Sequence, residues 1–189
     1  MRLENNNYII EITKDENYSL DSADNTMCYD YIYNPNNISR GMMYTTFSTK
    51  IISPNKEIKV ALIGGAYSFV EDCAIIKNDT LIILQNETVL LIDLPSGKLV
   101  NYINIDTFGC NFAIYEIASG YIVYGEIEIL KLSFNFDVEW RFSARDIFVT
   151  VDDTPPFIIC DKSIKLHDFN NNYYEIDFEG KLINENKAE

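Results

Sequence analysis

His167 is the only histidine of the chain, so any imidazole chemistry would have to pass through it. No Ser or Cys nucleophile stands near it with a carboxylate orienter at triad spacing. In an extended segment, His167 and Asp168 face opposite sides, and the pair reads as polar residues at a strand end. A lone histidine also argues against a histidine-based metal site. Cys28, Cys73, Cys110 and Cys160 lie far apart with no CxxC spacing, which suits neither zinc nor a disulfide framework. They read as free, mostly buried thiols.

Carboxylates are the more suggestive groups. Glu71-Asp72, Glu126 with Glu128, and Asp152-Asp153 form pairs. In an extended run the i, i+2 spacing places Glu126 and Glu128 on one face. Acid–base work would require burial or coupling to separate two such pKa values. Asp152-Asp153-Thr154 is too sparse for a calcium loop. Gly64-Gly65 is no phosphate loop, because neither Lys-Ser/Thr nor a helix start follows it. The chain is therefore expected to be non-enzymatic, with no catalytic residue, cofactor or metal. Glu71, Asp72, Glu126, Glu128, Asp152 and Asp153 are expected to meet Lys and Arg side chains of a partner. Trp140 is expected at a junction between repeats, and Arg141 and Arg145 are expected to anchor an acidic cluster or an interface.

The elements that position these groups follow from a 40-residue internal echo. Leu81-Ile82-Ile83-Leu84 returns as Tyr121-Ile122-Val123-Tyr124, Val89-Leu90-Leu91-Ile92 as Ile129-Leu130-Lys131-Leu132, and Val100 as Trp140, all at one offset of 40. A third copy, Tyr174 to Ile183, echoes Leu91 to Val100. Nearly every apolar segment is short and ends in a turn signal, such as Asn78-Asp79-Thr80, Pro95-Ser96-Gly97 or Asn170-Asn171-Asn172. No window sustains helical periodicity. Four strands joined by tight turns fill roughly 40 residues, the size of one propeller blade. The expectation is an all-β chain of antiparallel sheets. It reads as one domain over 1–189, with a diverged N-terminal unit or cap at 1–65. Blade-like repeats follow at 66–106, 107–148 and 149–184, and a tail at 185–189.

Charge is unevenly spread. Residues 1–60 carry 6 basic and 8 acidic side chains, whereas residues 61–189 carry 9 and 21. Such a surface repels phosphate backbones and would draw in a basic protein. With no apolar leader and no run of roughly 18 apolar residues, the chain is expected to be cytoplasmic and off the membrane.

Leu91-Ile92-Asp93-Leu94-Pro95-Ser96-Gly97-Lys98-Leu99-Val100 resembles the blade motif of quinoprotein-type and WD40-type β-propellers, in which a strand ends in Asp and a tight Gly-Lys turn follows. Ile129 to Trp140 is similar, with Asp137 where glycine would stand. The resemblance covers about residues 66–184 and implies blade geometry, in a small or partial array with about three clear blades. It implies no quinone site. The whole chain also resembles small acidic bacterial immunity proteins with blade-like repeats, through Trp140 to Val149 and Phe169 to Ile183. That likeness implies a 1:1 complex with a basic toxin, such as a nuclease, without direct nucleic-acid contact. The alternative is a small-ligand or glycan sensor built on tyrosine-rich loops.

Overall fold

A computed structural model describes residues 1–187. Of the expected tail, residues 188 and 189 lie outside the described residues. The chain is all-β, with no α-helix among the described residues, and therefore none long and apolar enough to cross a membrane. It divides into two compact units, Met1–Ile105 and Asp106–Glu189.

The first unit holds a five-stranded and a four-stranded sheet. The five-stranded sheet has the order β1 (Arg2–Glu4), β2 (Ile9–Lys14), β4 (Thr45–Ser53), β5 (Lys56–Gly64), β3 (Tyr31–Tyr33). Its last pairing, β3 with β5, is parallel, so the N-terminal segment departs from the all-antiparallel expectation. The neighbouring sheet is a meander of β6 (Ala74–Lys77), β7 (Thr80–Gln85), β8 (Thr88–Asp93) and β9 (Lys98–Asn104). Ile10, Ile12, Phe47 and Leu62 of the first sheet share one core with Leu81, Ile83, Leu90 and Ile92 of the second. Such burial is the main favourable term in folding. Gln85, fully buried, donates from Nε2 to the carbonyls of Thr45 (3.1 Å) and Leu62 (3.0 Å). Its side chain lies so close to Gly64 that a Cβ there would stand 2.3 Å from Gln85 Cδ. That close approach is why the chain needs glycine at Gly64.

The second unit holds two four-stranded meanders. One comprises β10 (Asn111–Ile117), β11 (Gly120–Gly125), β12 (Glu128–Leu132) and β13 (Val138–Ser143). The other comprises β14 (Phe157–Ile159), β15 (Ile164–His167), β16 (Tyr173–Ile176) and β17 (Leu182–Asn186). Ile122 and Ile129 share a core with Ile164, Leu166, Tyr174 and Ile176, and Phe148 is buried among them. Trp140 packs against this core and donates its indole N–H to the Phe178 carbonyl at 3.0 Å, the junction role expected of it.

The three meanders repeat one plan, as blade-like sheets do. Leu81 pairs with Ile92 just as Tyr121 pairs with Leu132, at the predicted offset of 40. Each sheet also carries a register shift between its third and fourth strands, at Leu91/Ile92, Lys131/Leu132 and Glu175/Ile176. Such a bulge strengthens the local twist. The fourth strand departs from the expected echo. Asn101 faces Leu91, and Trp140 faces Lys131, so Trp140 corresponds to Asn101 and not to Val100. The reason is a hairpin one residue shorter in the second copy. Left-handed Asn37, Asn78, Asn86 and Asn171 make the tight turns, as their short polar side chains permit.

Candidate functional site

The carboxylates singled out in the sequence are dispersed, with one exception. Glu71 and Asp72 are exposed just before β6, and Asp152 and Asp153 are exposed in the segment before β14. Asp152 accepts the Thr154 backbone N–H at 2.9 Å, and that bond holds its carboxyl below the usual carboxylate value. Glu126 and Glu128 do come together, but not as two residues of one exposed strand face. Glu126 lies in the turn before β12, whereas Glu128 opens the strand and is only 3% exposed.

Both carboxylates turn toward the loop that enters β10. Glu128 Oε1 accepts the Phe108 N–H at 3.0 Å, and Glu126 Oε2 accepts the Cys110 N–H at 3.4 Å. The Glu126 N–H in turn donates to the Cys110 carbonyl at 2.7 Å. Arg141 on β13 completes the brace. Its Nη1 lies 2.8 Å from Glu128 Oε1, and its Nη2 donates to the Asp106 carbonyl. A buried carboxylate is tolerable only when paired and hydrogen-bonded, and Glu128 has both kinds of partner. Gly109, at φ +71, supplies the left-handed residue that bends the loop over Ile127.

The brace fixes the backbone that carries one conspicuous side chain. Phe108 is 69% exposed, with Ile127 partly exposed on the adjacent turn. The Asp106 carboxylate, 98% exposed, opens the same loop and lies 3.9 Å from Arg141 Nη2. A loop already held by charge-assisted bonds to its backbone loses little further backbone freedom when a partner buries the ring it carries. Sequence reasoning passed over Phe108, because periodicity marks which residues face a core and not which loop ring stays outside.

The remaining candidates have structural roles. His167 Nδ1 lies 3.1 Å from the Pro155 carbonyl, beside the Tyr173 ring. Arg145 pairs with Glu185 at 3.1 Å. All four cysteines are free, but only Cys73 is buried, against the expectation of mostly buried thiols. Burial pushes the Cys73 thiol up to about 12. Cys28 is exposed and lies three residues before β3 begins at Tyr31. Among the described residues, no group of three His, Cys, Asp or Glu side chains could hold a metal ion.

No family model matches the sequence, and no curated protein does. Among solved structures, the chain is similar to BamB from Moraxella catarrhalis at 12% identity and a TM-score of 0.43, covering 66% of this chain and 37% of that one. It is similar to a protein of unknown function from Bacteroides caccae at 14% identity and a TM-score of 0.42, over 77% and 78% of the two chains. Dihydro-heme d1 dehydrogenase NirN matches at 12% identity and a TM-score of 0.47, over 79% of this chain and 36% of its own. The chain thus spans little more than a third of the BamB and NirN chains.

Proposed function

We propose that this protein is a non-enzymatic protein-binding module, and that its partner is basic. One observation carries the reading: Phe108 is 69% exposed on a braced loop that begins with the 98% exposed Asp106. The unit that presents it, residues 106–189, contains 7 basic and 16 acidic side chains. An aromatic anchor with a charged rim is the arrangement that concentrates binding energy at protein interfaces. Acidic surroundings speed the encounter with a cationic partner and do little for a neutral one.

The finer form of the proposal is a bacterial immunity protein, acting in the cytoplasm, that occludes a nuclease-type toxin in a 1:1 complex. An active site built for phosphate would meet carboxylates in their place. Direct nucleic-acid or membrane contact has no part in it. The test is a search of the neighbouring genes for a basic protein, followed by stopped-flow association with any that is found. The association rate should fall by about tenfold or more between low and physiological salt. Phe108→Ala should raise the dissociation rate, at a cost of about 2 kcal/mol or more if the ring is the anchor. Salt-independent association, or an unchanged dissociation rate in Phe108→Ala, would overturn the proposal.

A further inference from the structure

The first unit contains a cavity of about 420 Å³ lined by Lys14, Asp15, Glu16, Tyr18, Tyr44 and neighbouring Thr45 and Thr46. That volume falls in the range of about 300–1,000 Å³ typical of small-ligand sites. It lies where β2 ends and β4 begins, and its walls are held firmly. The Asp15 N–H donates to the Thr46 carbonyl at 2.9 Å. Tyr29 donates its hydroxyl to Asp15 Oδ2 at 2.6 Å, which fixes the carboxylate. Tyr44 accepts the Leu20 N–H at 3.0 Å and packs on the small core of Leu20, Ile38 and Ile63.

The charges around the cavity do not cancel. The Lys14 ammonium lies over the Phe69 ring, 5.4 Å from its centroid, and it is the one cation of the lining against the two carboxylates of Asp15 and Glu16. Asp15 and Glu16 face no cation of their own among the described ion pairs. The local potential registers on Tyr18, whose phenol is pushed up by burial and then by the nearby Tyr44, Asp21 and Asp15. Thr46, also in the lining, adds a buried hydroxyl with no hydrogen-bond partner. Two carboxylates and two tyrosine rings around a space of this size match a planar or compact cation. Carboxylates bind guanidinium in a bidentate manner, and aromatic faces attract it.

We infer that this cavity is a cation-recognition site that takes a guanidinium or alkylammonium group through Asp15, Glu16, Tyr18 and Tyr44. The group can reach it on a free small molecule or on an Arg or Lys side chain of another protein. The inference stands apart from the Phe108 loop and needs no particular partner.

The experiment uses the whole chain, labelled with ¹⁵N, titrated with N-acetyl-arginine amide, with spermidine, and with methyl glucoside as an uncharged control. The cations should shift backbone resonances of residues 14–18 and 44–46, and the sugar should not. Glu16→Gln, at an exposed position, and Asp15→Asn should each weaken the arginine amide by about tenfold. If Asp15→Asn disturbs folding, Glu16→Gln alone decides the matter. A Gly-Ser peptide carrying a single Arg separates the two sources. Binding more than about tenfold tighter than the amide assigns the site to a protein side chain, and equal binding assigns it to a free cation. Unmoved resonances, sugar shifts in place of cation shifts, or Glu16→Gln binding arginine amide like the wild type would overturn the inference. None of these results bears on Phe108→Ala, so the two proposals fail separately.

Discussion

Two hairpins of the second unit trace the same backbone with different side chains. In the last sheet, the turn from Asp177 to Lys181 closes with the Asp177 N–H on the Lys181 carbonyl at 3.0 Å and the Gly180 N–H on the Asp177 carbonyl at 3.1 Å. In the sheet before it, Ser133 to Asp137 repeats both bonds, at 2.8 Å and 2.9 Å. The left-handed residue is Gly180 (φ 78) in one and Phe136 (φ 67) in the other. What surrounds each position explains the difference. A Cβ on Gly180 would lie 2.7 Å from Trp140 Cδ2, so no side chain fits. Phe136 instead stacks on Tyr121, with centroids 5.0 Å apart and ring planes 3° apart, and that contact offsets its backbone strain. Backbone conformation alone does not demand glycine, whereas conformation combined with a neighbouring ring does.

Exchanging the two residues should break the symmetry most strongly. Gly180→Phe forces a side chain into the Trp140 indole and should cost about 4 kcal/mol, enough to unfold a marginal unit. Gly180→Ala is the milder test and should cost about 2 kcal/mol, from strain and the same contact. The single tryptophan of the chain reports directly, since urea unfolding followed by Trp140 fluorescence senses this junction. If Gly180→Ala melts like the wild type, the close approach is not what selects glycine.

The residue opening each turn gives the next largest effect. Asp177 Oδ1 accepts the N–H groups of Glu179 (3.0 Å) and Lys181 (2.8 Å). Ser133 Oγ does the same for Asn135 (3.1 Å) and Asp137 (3.2 Å). A carboxylate makes the stronger acceptor. Asp177→Ala should cost about 1–2 kcal/mol and Ser133→Ala about half of that. Equal losses in denaturant midpoint would show that the turn geometry, and not the acceptor's charge, sets the stability. Phe136→Gly should change stability by less than about 1 kcal/mol, because relief of the left-handed conformation and loss of the stack oppose each other.

Much of this architecture was legible in the sequence. A run such as Leu81-Ile82-Ile83-Leu84, apolar at every position, only four residues long and bounded by turn residues, reads as a short strand covered on both faces, and all four residues are buried. Asp93 and Gly97 also announced their turn: Asp93 Oδ2 accepts the Ser96 N–H at 2.9 Å, and Gly97 has φ +71. What stayed hidden depended on partners distant in sequence. The parallel pairing of Tyr31–Tyr33 with Val60–Leu62 leaves no periodic mark. The left-handed Phe136 contradicts its own propensity, so the glycine role seemed to fall on Asp137. At the candidate site, Glu126 and Glu128 were visible as a pair. Their service to the Phe108 loop was not, since carboxylate spacing says nothing about which backbone N–H groups come within reach. Asp15-Glu16, an adjacent pair of the same kind, passed unnoticed beside a cavity that sequence cannot display.

The third-strand positions facing the two fourth strands offer the finest comparison, because Lys131 and Glu175 occupy equivalent places before their bulges. Lys131, nearly buried, meets Glu139 Oε2 at 2.8 Å across its own sheet. Glu175 accepts hydrogen bonds from the Ser163 hydroxyl at 2.6 Å and the Tyr173 hydroxyl at 3.1 Å. The Ser163 bond first, and then the Tyr173 bond, hold the Glu175 carboxyl below its usual value of 4.5. A carboxylate whose folded pKa is depressed binds fewer protons folded than unfolded across the interval between the two values. Its stabilising contribution is therefore complete above the unfolded value and is lost as pH falls through the folded one. Melting temperature between pH 6 and pH 3 should decline more steeply in the wild type than in Glu175→Gln, which keeps the shape and removes the titration. Ser163→Ala should produce a partial version of the same flattening, since it removes the larger cause. Parallel melting curves for all three proteins would mean that the two hydroxyls do not distinguish the charged form of Glu175 from the neutral one.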